Sequence, residues 1–187
     1  SKSANLLLIK NNSSVPMIDF ENTPQVALEF MNREHRKAFD DANALKRLLD
    51  SALTLRLDSA SESEASDELG GEIETEMEIN TRQLHSDEIE QLMETLLSDT
   101  VHHFKLEEKS MEEYGFPARG EHSEEHRRVL QWMTEEHSLW SRDCSIETIN
   151  HLSIYAADRF PNWLLNHIVT MDTVMASYIH RHGGISL

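Results

Sequence analysis

The sequence predicts an all-α protein, an antiparallel up-down four-helix bundle with an N-terminal arm and an acidic insert between its first and second helices. Three observations favour this fold. The 187 residues include only 6 Gly and 4 Pro, so few residues interrupt helices. Apolar residues recur at helical spacing in four long stretches, and no long stretch alternates with the period of a strand. Mostly short turns join the stretches, which suits antiparallel neighbours. We expect one domain over residues 1–187.

The first helix is predicted from Pro24 to Leu57. Residues 1–22 form the N-terminal arm, which is rich in Ser and Asn. Thr23 then offers a capping hydroxyl, and Pro24 suits the first helical position. The apolar residues that follow at helical spacing are Val26, Leu28, Phe30, Met31, Phe39, Ala42, Leu45, Leu48, Leu49 and Ala52.

The acidic insert covers residues 58–84. Its first part, residues 58–78, has nine acidic residues, no Lys or Arg, and a Gly70-Gly71 pair. This composition is typical of a flexible loop. Ordered extensions of the two flanking helices are an equal alternative.

The second and third helices are predicted from Leu84 to Tyr114 and from Ala118 to Trp140. Gly115 and Pro117 separate them, since glycine commonly ends a helix and proline follows the end. The apolar stripe of the second helix consists of Ile89, Leu92, Met93, Leu96, Leu97, Val101, Phe104 and Met111, and that of the third contains Val129, Leu130, Met133 and Leu139.

The fourth helix is predicted from Ile146 to about His180. Ser145 can cap its start, and Gly183-Gly184 ends it. Pro161 should kink or divide this helix, because proline removes one backbone donor and crowds the preceding turn.

Charge and cysteine content restrict the function. The net charge of −17 disfavours binding to nucleic acid and to anionic membrane surfaces. The apolar run from Leu6 to Ile9 is too short for a signal-peptide core or a membrane span. Cys144, the one cysteine, cannot form an internal disulfide, which suits a cytoplasmic location.

Ligand-type residues occur on all four predicted helices. Imidazoles and carboxylates are the ligands that iron, zinc and manganese accept, and residues four apart share one face of a helix. The candidates are His35 on the first helix, His103 and Glu107 on the second, His122 and His126 on the third, and His167 and Asp172 on the fourth. In a bundle these side chains could converge in the core.

Several spacings leave questions. His102 competes with His103, although the four-residue spacing to Glu107 favours His103. Five residues turn about 140° around an α-helix, so His167 and Asp172 should not share a face. We expect Glu108 to be a surface residue or to support a ligand. The other histidines are expected to be surface or structural residues: His85, His137, His151, His180 and His182.

The sequence resembles the hemerythrin family in its bacterial branch, the bacteriohemerythrins and hemerythrin-like HHE cation-binding domains. The matching motifs are NREHRKAF around His35, HFKLEEKSM from His103, the turn GFP, EHSEEH from His122, and WLLNHIVTMD from Trp163. Each motif is weak alone. Their order and spacing agree over four separate helices, from about residue 31 to residue 174, which makes the joint match specific.

The resemblance implies a non-haem di-iron centre with an oxo or hydroxo bridge. By analogy, His122, His126 and His167 would bind one iron, His35 and His103 the other, and Glu107 and Asp172 would bridge both. Dioxygen would bind as hydroperoxide at the five-coordinate iron. The resemblance also implies that Leu164 lines the oxygen pocket. Trp163 either contributes to this lining or belongs to the core.

Three functions remain open. The first is reversible dioxygen binding without catalysis, as a carrier, store or sensor, which five imidazoles favour over a carboxylate-rich oxidase centre. The second is a di-metal enzyme acting on peroxide or nitric oxide. The third is a signalling or interaction module with a structural di-metal site, in which the acidic insert could be the docking surface for a protein partner.

Overall fold

The protein is all-α in the computed structural model, which describes residue 20 and residues 23–65 and 76–184. The helices are α1 (Glu29–Ala65), α2 (Glu76–Glu113), α3 (Arg119–Arg142) and a composite fourth helix over residues 146–181. No strand occurs in the part of the chain that is described. α1 packs on α2, α2 on α3, and the fourth helix returns along α1. The predicted four-helix bundle is confirmed, while nearly all of the predicted arm lies outside the described residues.

The first helix begins at Glu29, five residues later than predicted. Asn32, in its first turn, binds the backbone of the preceding segment twice. Its carboxamide oxygen accepts from the Val26 N–H at 2.9 Å, and its NH₂ group donates to the Val26 carbonyl at 3.0 Å. The start predicted at Pro24 is therefore wrong, because this pairing holds residues 24–28 outside the helix.

Most of the acidic insert belongs to the flanking helices. Residues 58–65 continue α1 and residues 76–84 begin α2, while residues 66–75 lie outside the described part. The helix boundaries predicted at Leu57 and Leu84 are therefore wrong. Glu and Ala are good helix formers, and the insert contains no glycine or proline before Gly70. Of the two alternatives, helical extension holds for these residues.

The turn between α2 and α3 depends on Gly115. Its φ of 63° lies in the left-handed region that glycine adopts without steric cost. The Phe116 N–H donates to the Met111 carbonyl at 2.8 Å, and the Gly115 N–H donates to the Glu112 carbonyl at 3.2 Å. These two bonds form a Schellman motif, which satisfies the last carbonyls of α2. The predicted end of the second helix is thus accurate to one residue.

The composite fourth helix alternates α-helical and π-helical segments. It consists of α4 (Ile146–Ile154), a first π turn (Tyr155–Arg159), α5 (Phe160–His167), a second π turn (Ile168–Asp172) and α6 (Thr173–Arg181). Ser145 caps α4 as predicted, since its hydroxyl accepts from the Thr148 N–H at 3.2 Å. The interruption predicted at Pro161 takes the form of the first π turn, which ends two residues before the proline.

The buried core contains most of the apolar residues that the helical spacing indicated, and others, such as Phe30, Leu92 and Leu130, are partly buried against it. Met31, Phe39 and Leu45 of α1 and Ile89 and Met111 of α2 are all at most 1% exposed. No helix among the described residues is long and apolar enough to cross a membrane.

Candidate metal centre

Seven buried polar side chains meet inside the bundle. None of them is more than 6% exposed, and every helix contributes. They are His35 of α1, His103 and Glu107 of α2, His122 and His126 of α3, His167 of α5, and Asp172 at the end of the second π turn. These are the seven residues that the sequence indicated as candidate ligands.

Three imidazoles and one carboxylate form the first group of the centre. His126 Nε2 lies 3.0 Å from Glu107 Oε2, and His122 Nε2 lies 3.7 Å from the same oxygen. The Nε2 atoms of His122 and His167 are 3.2 Å apart. The group of Glu107, His122, His126 and His167 therefore has ligand atoms close enough to share one metal ion.

Two imidazoles and two carboxylates form the second group. His103 Nε2 lies 3.1 Å from Glu107 Oε1, and His35 Nε2 lies 3.1 Å from Asp172 Oδ2. Asp172 Oδ1 instead faces the first group, at 3.2 Å from His122 Nε2 and 3.1 Å from His167 Nε2. Each of the two carboxylates thus presents one oxygen to each group of imidazoles.

Most of the atoms that could bind a metal ion in this centre lack hydrogen-bond partners, the exceptions being Nε2 of His122 and of His167, which contact each other. No well-oriented hydrogen bond reaches either oxygen of Glu107 or Asp172, or Nε2 of His35, His103 and His126. These atoms are close together but are not oriented to bond to one another. Buried polar atoms without partners are costly, and a cation placed between them would satisfy them together. Imidazole nitrogens with carboxylate oxygens suit iron, manganese or zinc.

The second π turn brings His167 and Asp172 together. A π turn closes its hydrogen bond five residues apart, and here the Thr173 N–H donates to the Ile168 carbonyl. The Thr173 hydroxyl donates to that carbonyl at 2.8 Å. The expectation that His167 and Asp172 do not share a face is therefore wrong. It assumed α-helical geometry through a segment that is π-helical.

The charges of the centre shift several pKa values. Burial lowers the pKa of His103, but Glu107, Glu34 and Asp172 outweigh burial and raise it above the usual histidine range. Burial and the charge of Asp172 raise the pKa of Glu107, whereas His103 and His126 lower it, and the lowering dominates. Burial also raises the pKa of Asp172, but the neighbouring imidazoles bring it well below its usual value. The lowered pKa values favour the ionised form of both carboxylates, which is the form that receives a cation.

Carboxylates outside the centre hold two of its imidazoles. Glu34 Oε2 accepts from His103 Nδ1 at 2.6 Å, and Glu108 Oε1 accepts from His126 Nδ1 at 3.1 Å. Such bonds fix the tautomer, so that Nε2 faces the centre. The contact of Glu108 agrees with the supporting role that was one of its two expected roles. Sequence reasoning missed Glu34, because it lies 69 residues from His103 and no local spacing indicates the contact.

Aromatic rings pack against the imidazoles. The Phe104 ring stacks on His126 with 3.8 Å between centroids, and Trp163 stacks on His167 at 5.0 Å. The Trp163 indole N–H donates to Glu125 Oε1 at 2.9 Å, which fixes the ring from the surface side. These contacts restrict the two imidazoles to one orientation.

A cavity of about 110 Å³ lies beside the second group. His35 and His103 line it, together with Phe104, Phe160, Trp163 and Leu164. None of His122, His126, His167 or the two carboxylates contributes to the wall. Both residues indicated as pocket lining, Leu164 and Trp163, therefore lie where a small molecule could approach the second group.

The remaining histidines lie away from the centre. His102 is exposed, whereas His103, its neighbour, is buried in the centre. His85 and His182 bond to backbone carbonyls one turn earlier, and His151 bonds to Glu136. His137 forms a half-exposed group with Glu90 and Glu94, which the sequence reasoning did not detect.

Two comparisons with known proteins concern this region. The model of the family described as hemerythrin HHE cation binding domain matches residues 26–179. Bacteriohemerythrin of Aquifex aeolicus (strain VF5) is 29% identical over 90 residues, which cover 48% of this chain and 66% of that relative, just under two thirds of its length. The family match includes all seven residues of the buried centre.

Proposed function

Because this chain belongs to the hemerythrin family, we propose that it holds a non-haem di-iron centre and binds dioxygen reversibly, as a carrier, store or sensor. One observation carries the proposal. Five buried imidazoles surround two buried carboxylates, and each carboxylate directs one oxygen to the first imidazole group and its other oxygen to the second. This arrangement supports two metal ions better than one.

The proposed ligands divide unequally between the irons. His122, His126 and His167 would hold one iron, and His35 and His103 the other. Glu107 and Asp172 would bridge the two, together with an oxo or hydroxo group from solvent. The irons, when bound and reduced, would supply the two electrons that dioxygen accepts reversibly.

The position of the cavity supports the proposed binding site for dioxygen. An iron held by His35 and His103 would have one imidazole ligand fewer than the other iron, and these two histidines are the ones that line the cavity. We propose that dioxygen enters this cavity and binds on the side of His35 and His103.

The surrounding residues have two tasks in this proposal. The cavity has an apolar wall formed by Leu164, Phe160 and Phe104. This wall would exclude water and thereby slow autoxidation, in which bound dioxygen is lost and the irons remain oxidised. Glu34 and Glu108 orient one imidazole in each group. No side chain needs to act as an acid or base.

A di-metal enzyme is the second candidate, because the cavity would also admit nitric oxide or peroxide. An interaction module is the third, with the acidic insert as the docking surface. Replacing residues 66–75 with a short linker separates the first from the third: oxygen binding should persist in the first, and partner binding should fail in the third.

We also propose a cytoplasmic location, on the basis of the single cysteine.

The deciding experiment combines metal analysis with optical spectroscopy. We expect two irons per chain and a visible charge-transfer band that appears when the reduced protein meets air and disappears when oxygen is removed. A band that forms but cannot be reversed, with turnover of peroxide or nitric oxide, would favour the enzyme. Two metals without any such band would leave a structural centre.

A further inference from the structure

The cavity beside His35 and His103 has a buried floor and a charged mouth. His35, Phe160 and Leu164, on the floor, are at most 4% exposed. Lys37 and Asp99, which also line the cavity, are 52% and 47% exposed. These two side chains and the exposed His102 therefore form the solvent side of the cavity, which we call its mouth.

An ion pair crosses the mouth from α1 to α2. Lys37 Nζ lies 2.7 Å from Asp99 Oδ2. The same ammonium donates to Asp41 Oδ2 at 2.7 Å. Glu34 is the second carboxylate of the cavity wall besides Asp99, and it lies on the side of His103. Two carboxylates, Asp41 and Asp99, thus contact one ammonium, while Glu34 is bonded to His103. His102 is the remaining ionisable residue at the mouth.

The excess of negative charge at the mouth affects anions and neutral molecules differently. An anion approaching the floor meets carboxylates that the single ammonium does not fully neutralise, whereas a neutral molecule has no net interaction with them. The net charge of −17 on the chain acts in the same direction. Most of the surface beyond the mouth is apolar, with Phe104, Phe160 and Leu164 in the wall, which adds a desolvation cost for an anion.

We propose that Lys37 and the two carboxylates it contacts, Asp41 and Asp99, make the mouth of this cavity selective for small neutral molecules over anions. The selection acts on the rate of entry. It extends the proposed function, because it assigns the ligand class of the same cavity: a neutral diatomic or hydrogen peroxide enters readily, and azide, nitrite or superoxide enters slowly.

Two variants distinguish charge selection from a mechanical gate, in which the ion pair between Lys37 and Asp99 simply blocks the mouth. Both variants break this ion pair. Asp99→Asn removes a negative charge and Lys37→Gln removes the positive one. Charge selection predicts opposite signs for an anion, with entry about three- to tenfold faster in Asp99→Asn and slower by a similar factor in Lys37→Gln. A neutral molecule should enter both variants at the unchanged rate. A mechanical gate would instead speed entry of every molecule in both variants.

The first measurement uses the metal-free chain, so that it does not depend on the proposed iron chemistry. Trp163 lies in the cavity wall, and Trp132→Phe with Trp140→Phe leaves it as the one tryptophan of the three. Because Trp163 is half-buried, entry through the mouth is read from the change in quenching between each variant and the parent chain. Iodide is the anionic quencher and dioxygen the neutral one. Helical circular dichroism checks that each variant is folded.

The second measurement uses the iron-loaded chain with all tryptophans in place, and decides the matter if the tryptophan background does not fold. Association of azide with the oxidised protein and of nitric oxide with the reduced protein is followed by stopped-flow absorbance. High salt should raise the association rate of azide and leave that of nitric oxide unchanged, because salt screens the charges at the mouth.

The outcomes separate this inference from the proposed function. If iodide quenching rises in Asp99→Asn and falls in Lys37→Gln while the iron-loaded protein shows no visible band in air, charge selection at the mouth is supported and reversible oxygen binding is overturned. Equal changes for anion and neutral molecule, or no change for either, would overturn charge selection while leaving oxygen binding intact.

Discussion

The adjacent residues His102 and His103 show how one step along a helix separates a surface side chain from a candidate ligand. A step of one residue rotates a side chain by about 100° around an α-helix. His103 accordingly reaches Glu107 inside the bundle, and His102 is exposed. The four-residue spacing to Glu107 is a local property of the sequence, and it is enough to distinguish the two histidines.

Replacing His103 with Ala should lose one of the two irons, since the second group has only two imidazoles. His102→Ala is the matched control and should retain both. Metal content per chain, measured after loading and desalting, decides the result. Loss of iron from His102→Ala but not from His103→Ala would contradict the proposed ligand set.

Leu164 permits a second test at this scale. Leu164→Ala should retain both irons but oxidise faster in air, because a shorter side chain lets water into the cavity. The loss of a buried leucine should also destabilise the fold by about 2–5 kcal/mol. Leu49→Ala, at a buried position outside the cavity wall, controls for that loss. Equal autoxidation rates in Leu164→Ala, Leu49→Ala and the parent chain would rule out the lining role.

Among the elements, the second π turn is the one that completes the centre. Residues 168–172 contain one residue more than an α-helical turn would need, and this places Asp172 beside His167. A π turn often marks a functional site, because its extra residue redirects a side chain without ending the helix. The sequence carries no local signal for it, since its residues are also compatible with an α-helix.

The turn at Gly115 gives a test at the element scale. Gly115→Ala should lower the free energy of unfolding by about 1–2 kcal/mol, because a Cβ disfavours the left-handed backbone. An added Cβ there would meet no atom within 4 Å, so only the backbone conformation opposes it. Gly120→Ala, inside α3 and also free of contacts, should be neutral or stabilising. Thermal unfolding of both variants makes the comparison, and an equal loss in both would refute this account of the turn.

Considered as a whole molecule, the bundle encloses a cluster of polar atoms that the protein alone does not satisfy. Ligand binding to the folded state stabilises it by mass action, by about 2.7 kcal/mol when free ligand is at one hundred times its Kd. Bound metal should therefore contribute substantially to the stability of this fold.

Removing the metal should lower the melting temperature by roughly 5–10 °C, given about 2–4 °C per kcal/mol for a chain of this size. Iron should restore the original value. Calorimetry of the loaded, chelated and reloaded protein measures the effect, and a His103→Ala sample should show a smaller shift. A chelated protein that melts at the temperature of the loaded one would argue against a metal centre in the core.

Helix periodicity and glycine positions were sufficient to predict the bundle, because amphipathic spacing and chain breaks are local properties. The helix limits at Glu29 and Ala65 were not predictable in this way. Asn32 fixes the first through a bond to a segment outside the helix, and an acidic composition is compatible with both loop and helix at the second.

The sequence by itself determined the helical class, the order of the ligand-type residues and the family, since each depends on spacing along one chain. Only the tertiary structure decided that Asp172 shares a face with His167, that Glu34 supports His103, and that a cavity lies beside His35. These features depend on the local winding of a helix and on contacts between residues far apart in the chain. Neither is encoded in the periodicity of a single stretch.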